Sequence, residues 1–310
     1  MRIIFFGTPA YSVGFLHSLI SAGMKPITVV SQPDRPIGRE KVIVATPTKE
    51  LALANHIPVL QPEDVNDPTF ISALKQLTPD LIIVVSFGQI ISQDVINIPK
   101  YGCINVHPSL LPALRGATPL QSAILQGLSE TGITIMLMDE KMDHGPLLAQ
   151  KHIPISMDET YISLTEKTID QGRSLLVDTI QDFVDGKITP QTQDHEKATF
   201  TKMLKKETGK VTGEKSITEV RRMLRALYPW PGLWCEYNGK RIKIHSIGED
   251  TITDPPHPPG TLFTLPDYPH SLWYQLSNGS IELVTVQPEG KNNMSGEEFA
   301  RGYLRPESQF

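Results

Sequence analysis

Asn105 and His107 stand two positions apart in Gly102-Cys103-Ile104-Asn105-Val106-His107-Pro108-Ser109-Leu110-Leu111-Pro112. On a strand, side chains alternate between faces, so these two project to the same side. An amide and an imidazole placed side by side can both donate to one oxygen, which is what an oxyanion of acyl transfer requires. Pro108 stops the strand, so the pair is expected at its carboxyl end. Asn-x-His on its own also fits a capped strand end with a satisfied histidine. A third group comes from Met138-Asp139-Glu140-Lys141-Met142-Asp143-His144-Gly145-Pro146, a turn-rich stretch after another strand signal. Asp143 there could reach His107 across neighbouring strand ends. A carboxylate beside an imidazole orients the ring and favours its protonated form. His144 is a rival imidazole, but it has no Asn partner at strand spacing.

Other chemistries find less support. Ser109 lies in Pro-Ser-Leu-Leu-Pro rather than in the G-x-S-x-G of a hydrolase elbow. Two leucines between prolines make a rigid apolar wall with free backbone groups, better suited to gripping a flat heterocycle. Gly7-Thr8-Pro9 follows the first strand signal but matches neither the dinucleotide nor the phosphate-loop pattern. Two distant cysteines, Cys103 and Cys235, make no disulfide framework or zinc site, and reduced thiols are expected. No metal is expected.

The elements that must position these groups alternate strand and helix. Strand signals fall at residues 3–6, 27–30, 81–85, 103–106 and 133–138, and helical patterns at 11–22, 47–55, 68–76 and 119–126. The apolar run Leu-Ile-Ile-Val-Val at 81–85 reads as a strand covered on both faces. This order implies an α/β fold with a doubly wound, mostly parallel sheet, whose ligands bind beyond the carboxyl ends of the strands. A long helix is expected from Tyr161 to about Val184, ended by Asp185-Gly186. These signals make 1–186 a catalytic domain and 187–213 a polar linker. In 214–310, a basic helix at 216–227 opens with the capping box Ser216-x-x-Glu219. Short alternating runs follow, with hairpin signals at Asn238-Gly239 and Asn278-Gly279, and they suggest a small β-barrel domain.

Net charge is −5, yet residues 202–243 hold eleven Lys/Arg against four acids, a local +7 that leaves −12 elsewhere. Such asymmetry suggests a polyanionic partner, against the plainer reading of a solvated helix face. No apolar run is long enough to cross a bilayer, and the opening residues lack the length and cleavage site of a signal peptide, so a cytoplasmic protein is expected. Trp230, in Pro-Trp-Pro-Gly, is expected to pack in a core rather than stack on RNA.

Together these blocks resemble the folate-dependent formyltransferases. The resemblance runs through 5–9, 31–39, 102–112, Arg115-Gly116-Ala117, 131–138 with Asp143-x-Gly145, Pro229-Trp230-Pro231-Gly232, and 287–291 with Met294-Ser295. It implies a Rossmann-like catalytic domain followed by an OB-like one, with 10-formyltetrahydrofolate as the donor co-substrate. Asn105, His107 and Asp143 match the family's catalytic residues. Ser109, Leu110, Leu111 and Pro112 would line the folate site, and Phe87, Gly88, Gln89 and Ile90, after Ser86, would hold the pterin through their backbone. The first loop and the C-terminal blocks point to the branch acting on methionyl initiator tRNA. The resemblance places Arg39 and Lys41 in a loop that enters the acceptor stem, although Glu40-Lys41-Val42 stands where the family often has a more basic run. Lys202, Lys205, Lys206, Arg221, Arg222 and Arg225, from the basic segment, complete the expected tRNA contacts. A monomer is expected. The alternatives are transfer to another amine, such as a sugar amine, or hydrolysis of formyl-folate.

Overall fold

Five consecutive buried residues, Ile-Ile-Phe-Phe-Gly, form β1 (Ile3–Gly7). In chain order there follow α1 (Ala10–Ser21), β2 (Thr28–Val30), β3 (Arg35–Ile37), β4 (Val42–Val44), α2 (Pro47–Ala54), β5 (Val59–Leu60), α3 (Pro68–Gln76) and β6 (Leu81–Val85). Next come α4 (Gln93–Ile96), β7 (Cys103–His107), β8 (Arg115–Gly116), α5 (Pro119–Gln126), β9 (Glu130–Leu137), β10 (Leu147–Pro154), α6 (Tyr161–Val184) and β11 (Phe200–Thr201). This computed structural model describes residues 1–37, 42–253, 257–266 and 268–304. Its contacts divide the chain into one unit of 1–120, 129–155 and 163–202 and another of 121–128, 156–162 and 203–304.

The sheet of the first unit has the order β10-β9-β7-β6-β1-β2-β5. From β7 to β5 every neighbouring pair is parallel, while β9 and β10 run antiparallel at the other edge. The mostly parallel sheet expected from the strand–helix alternation is present. β1 and β6 are buried at every position, as central strands covered on both faces must be. Helix starts follow local chemistry. Thr46 and Asp67 accept from the first-turn amides of α2 and α3, and Pro47 and Pro68 occupy positions whose missing N–H is no loss. α6 lies close to α1 and β9 because Gly14 and Gly172 carry no side chain: a Cβ would fall 2.3 Å from Ile169 Cγ2 and 2.2 Å from Ile133 Cδ1.

Residues 187–213 are more than the polar linker expected. Gln191 bridges Leu147, Gln193 is buried, and β11 pairs with β8 in parallel. Polar, weakly periodic residues form structure here because their partners are backbone groups of distant loops, which leave no periodicity in the sequence.

The second unit contains α7 (Ile217–Leu227), β12 (Leu233–Tyr237), β13 (Lys240–Ile252), β14 (Leu262–Leu265), β15 (Tyr268–Leu276), β16 (Gly279–Pro288), β17 (Met294–Ser295) and α8 (Gly296–Tyr303). Ser216 and Glu219 form the expected capping box of α7. The strands make one antiparallel sheet, β12-β13-β16-β15-β14, with β17 added to β16. β13 shifts register at three places, and such bulges bend a strand. Asn238 and Gly239 both take positive φ, as a two-residue hairpin turn demands. The second hairpin turns one residue earlier than expected: Leu276 pairs with Gly279, leaving Ser277 and Asn278 in the loop. Trp230 is 53% exposed, against the expectation of core packing. Trp234 is the buried tryptophan of this region, donating to the Lys206 carbonyl at 2.9 Å.

Asp34 closes a polar network in the first unit. Lys49 donates to its Oδ2 at 2.5 Å and Gln61 to its Oδ1 at 2.7 Å, while Gln61 also donates to the Gln32 carbonyl at 2.8 Å. These bonds, the Lys49 bond first, hold the Asp34 carboxyl below its ordinary value of 3.8. A depressed folded-state pKa adds stability that is present above about pH 4 and lost as pH falls through the folded value. Asp34→Asn is therefore expected to lower the melting temperature by about 2–4 °C near neutral pH and to flatten its decline below pH 4. Thermal melts of both proteins from pH 6 to pH 3 check this.

Candidate active site

β7 runs between β6 and β9, with Asn105 opposite Val84 and Met136, and His107 opposite Thr134. Two residues beyond its end, Ser109 begins a loop that returns Leu114 over the His107 ring. Nε2 lies 3.0 Å from the Leu114 carbonyl oxygen. A carbonyl can only accept, so Nε2 carries a proton and donates. Nδ1 lies 3.6 Å from Asp143 Oδ1, beyond hydrogen-bond length but within reach of an ion pair. Asn105 Nδ2 donates to the same oxygen at 3.4 Å, and the Gly116 backbone N–H donates to Asp143 Oδ2 at 2.7 Å. Asn105 and His107, two positions apart, thus meet Asp143, which is distant in sequence, at the carboxyl end of a central strand.

The arrangement differs from the expected one in a single respect. An open ring donating beside Asn105 was expected, but His107 is only 4% exposed and its Nε2 is engaged by Leu114. The Nδ1 edge, turned toward Asp143, is the part of the ring left to meet a ligand atom. Leu114 and Asp143, the partners of the two ring nitrogens, are both non-glycine residues in the left-handed region, at φ 59° and 49°. Such conformations cost of order 1–3 kcal/mol each and cluster at functional sites.

Residues 1–180 match the family described as "Formyl transferase", and 203–304 match "Formyl transferase, C-terminal domain". Methionyl-tRNA formyltransferase of Roseiflexus sp. (strain RS-1) is 43% identical over 97% of this chain and 92% of its own length. That of Agathobacter rectalis is 40% identical over 100% and 99%. This chain belongs to the methionyl-tRNA formyltransferase family. Its fold also recurs at lower identity. HypX from Aquifex aeolicus, solved with tetrahydrofolic acid, superposes with a TM-score of 0.66 at 17% identity, covering 98% of this chain and 48% of that one. An N-formyltransferase from Helicobacter canadensis, solved with folinic acid and dTDP-3-aminofucose, gives 0.64 at 18%, covering 93% and 99%.

In this formyltransferase the loop after β7 is held from inside. Ser109 is fully buried and its hydroxyl donates to the Ala113 carbonyl at 2.6 Å, which leaves it no role as a nucleophile. The backbone groups expected to be free are engaged: Thr134 Oγ1 donates to the Ser109 carbonyl and accepts from Leu111 N, and Gln150 donates to the Leu111 carbonyl. A Cβ on Gly132 would fall 2.3 Å from Leu110 Cδ2, so β9 leaves room for that leucine. Pro112 is half-buried. At the end of β6, Phe87 packs on Phe6 in the core, and its carbonyl accepts from Thr8 at 2.8 Å. Gln89 ties down Val65 N and the Glu63 carbonyl, while Ser86, Gly88 and Ile90 are exposed. Ser86 and Gly88 both have positive φ.

The basic residues divide into three groups. Arg39 and Lys41 lie outside the described residues. Lys202, Lys205 and Lys206 are exposed. The three arginines of α7 are engaged within their own unit: Arg221 donates to the Gly248 and Glu249 carbonyls, Arg222 lies against Gly127, and Arg225 donates to the Glu159 carbonyl at 2.8 Å. A helix with arginines on one face reads from sequence as a phosphate-binding surface, but backbone carbonyls recruit guanidinium groups equally well. Both cysteine thiols are buried, and burial pushes each up to about 12, far from a reactive thiolate.

Sequence reasoning missed the second layer of the site. The Leu114 carbonyl, Gly116 N–H and Gln193 all touch the trio or its backbone, and 199–201 straps down 114–116: Leu114 N donates to Thr199 Oγ1 and Arg115 N to the Thr199 carbonyl. The one available signal was Arg115-Gly116, whose position after the proline-rich loop makes the glycine N–H a natural partner for a carboxylate.

Proposed function

We propose that this chain transfers the formyl group of 10-formyltetrahydrofolate to the free amino group of methionyl initiator tRNA. The observation that carries this reading is the Asp143 carboxylate held against Asn105, His107 and the Gly116 N–H at the sheet's carboxyl edge, in a chain 43% identical to a methionyl-tRNA formyltransferase. Transfer forms a bond from the amine nitrogen to the formyl carbon and breaks the bond from that carbon to the folate nitrogen. The amine loses a proton and the folate nitrogen gains one. Asn105 has a second amide N–H for the formyl oxygen as charge gathers on it, and the Nδ1 edge of His107 adjoins the same place. Asp143 receives the amine proton and keeps the ring oriented. The partly buried site strengthens each of these interactions relative to water. The Leu110–Pro112 wall and the 86–90 segment lie beside this edge of the sheet and suit the flat face of a folate.

The discriminating experiment offers 10-formyltetrahydrofolate with charged initiator tRNA, uncharged tRNA, an amino sugar nucleotide, or no acceptor. Formylated methionyl-tRNA as the dominant product is expected. Product only with the sugar, or free formate without acceptor, would replace this reading by one of the alternatives.

Lys202, Lys205 and Lys206 are the exposed cations from which tRNA phosphate contacts are expected. The double replacement Lys205→Ala and Lys206→Ala is expected to weaken tRNA binding and to lower the slope of log K against log salt by about 1–2. Filter-binding titrations at several salt concentrations check it, and kcat at saturating tRNA should stay near that of the parent protein.

A further inference from the structure

Behind the Asp143 turn lies a buried pair that the transfer chemistry does not itself use. Arg115 and Gln193 are each only 4% exposed. Arg115 Nη2 donates to Gln193 Oε1 at 2.6 Å and contacts His195 Nδ1 at 2.9 Å, while its Nε has no partner among the described residues. Gln193 Nε2 donates to two carbonyls of the turn, Gly145 at 2.7 Å and Asp143 at 3.0 Å. A guanidinium can only donate and a carbonyl can only accept, so the carboxamide has one orientation that satisfies all three. Partial desolvation, with His144 and Arg115 nearby, holds the exposed His195 imidazole below its ordinary pKa, consistent with a neutral ring accepting from the arginine. A cation buried against neutral acceptors is an expensive arrangement and calls for a reason.

The reason lies in the backbone it braces. Asp143 is left-handed at φ 49°, and at Gly145 a Cβ would fall 2.0 Å from the Leu137 carbonyl oxygen. The Gly116 N–H fixes the carboxylate of Asp143 and Gln193 fixes its backbone. We propose that Gln193 is a positioning residue for formyl transfer: its carboxamide, oriented by Arg115, locks the left-handed turn that keeps the Asp143 carboxylate against Asn105 and His107. This rests on the reading that Asp143 acts in the transfer.

Gln193→Glu tests the donors specifically. It keeps side-chain length and the oxygen facing Arg115, but replaces the two N–H donors with an oxygen turned toward two carbonyls. The expected result is a kcat lower by about a hundredfold, because small displacements of a reacting group have effects of that size. KM for formyl-folate and the affinity for tetrahydrofolate should stay within about threefold of the parent, since the folate wall is untouched. Gln193→Met, which keeps the volume and removes every polar atom, should show the same split between kcat and KM. Asp143→Asn is measured beside them. If Asp143→Asn is impaired while either Gln193 variant keeps kcat within about threefold, the positioning role falls and the reading of Asp143 stands. Normal kcat in Asp143→Asn overturns both. If both Gln193 variants lose tetrahydrofolate binding as well, the residue is a general support of the fold and the proposal fails.

Discussion

Asp143→Asn is expected to lower kcat for formyl transfer by about a thousandfold, within the range found for removal of a positioned general base. The substitution barely changes volume, and one oxygen remains to accept from Gly116 N. Two things are lost. An amide cannot take the amine proton, and it carries no charge to hold the Nδ1 edge of His107, now 3.6 Å from Oδ1. Wherever the new NH2 group points, it meets a donor: Asn105 Nδ2 on one side or the Gly116 N–H on the other. Steady-state kinetics with saturating tRNA and formyl-folate, together with a tetrahydrofolate binding curve, check this. Affinity should change by less than about threefold, because Asp143 belongs to the turn rather than to the 109–112 wall.

The second large effect is expected at Gly116. Its φ is 107°, a region that side chains avoid, and an added Cβ would fall 2.8 Å from the Thr201 carbonyl oxygen and 2.9 Å from its hydroxyl. The clash is with the backbone of β11, which cannot rotate away as a side-chain tip can. Gly116→Ala must therefore separate β8 from β11 or rotate the 115–116 peptide, and either motion takes the N–H off Asp143 Oδ2. A loss of about 2 kcal/mol of stability is expected from the backbone conformation alone. The accompanying drop in kcat should be about a hundredfold through misplacement of the carboxylate. Thermal melts and kinetics on the same preparation measure both. A folded variant with unchanged kcat would show that the Gly116 N–H does not position Asp143.

Much of this architecture was legible in the residues, for identifiable reasons. Leu81–Val85 and Ile3–Gly7 are continuous apolar runs, which central parallel strands require. Pro68–Gln76, Pro119–Gln126 and Tyr161–Val184 form helices at the positions their periodicity marks. Asn105 and His107 could be paired from strand alternation, and the Asp143 turn could be brought toward them because β9 and β7 are neighbours. What could not be read are contacts between a side chain and a distant backbone atom. The Leu114 carbonyl over His107, Gln193 beneath Asp143 and Thr199 on 114–115 depend on loop conformation, which has no period. For the same reason 187–202 passed for linker. Trp230 was misjudged because hydrophobicity describes a residue type and not its place: Trp234, four residues on, lies in β12 and takes the buried position. The carbonyl partners of the α7 arginines were not legible either, because charge does not tell a carbonyl from a phosphate as partner.

We propose that Asn105, His107 and Asp143 act as one unit on the transferring formyl group. The decisive measurement is the single-turnover rate of formyl transfer to methionyl initiator tRNA at saturating 10-formyltetrahydrofolate. The protein for that measurement carries Asn105→Ala, His107→Ala and Asp143→Asn together. The expected rate is lower by about three to four orders of magnitude, at most about tenfold below Asp143→Asn alone because residues acting as a unit are not additive, with tetrahydrofolate still bound. A triple variant that binds tetrahydrofolate and transfers formyl within about tenfold of the parent rate would contradict it.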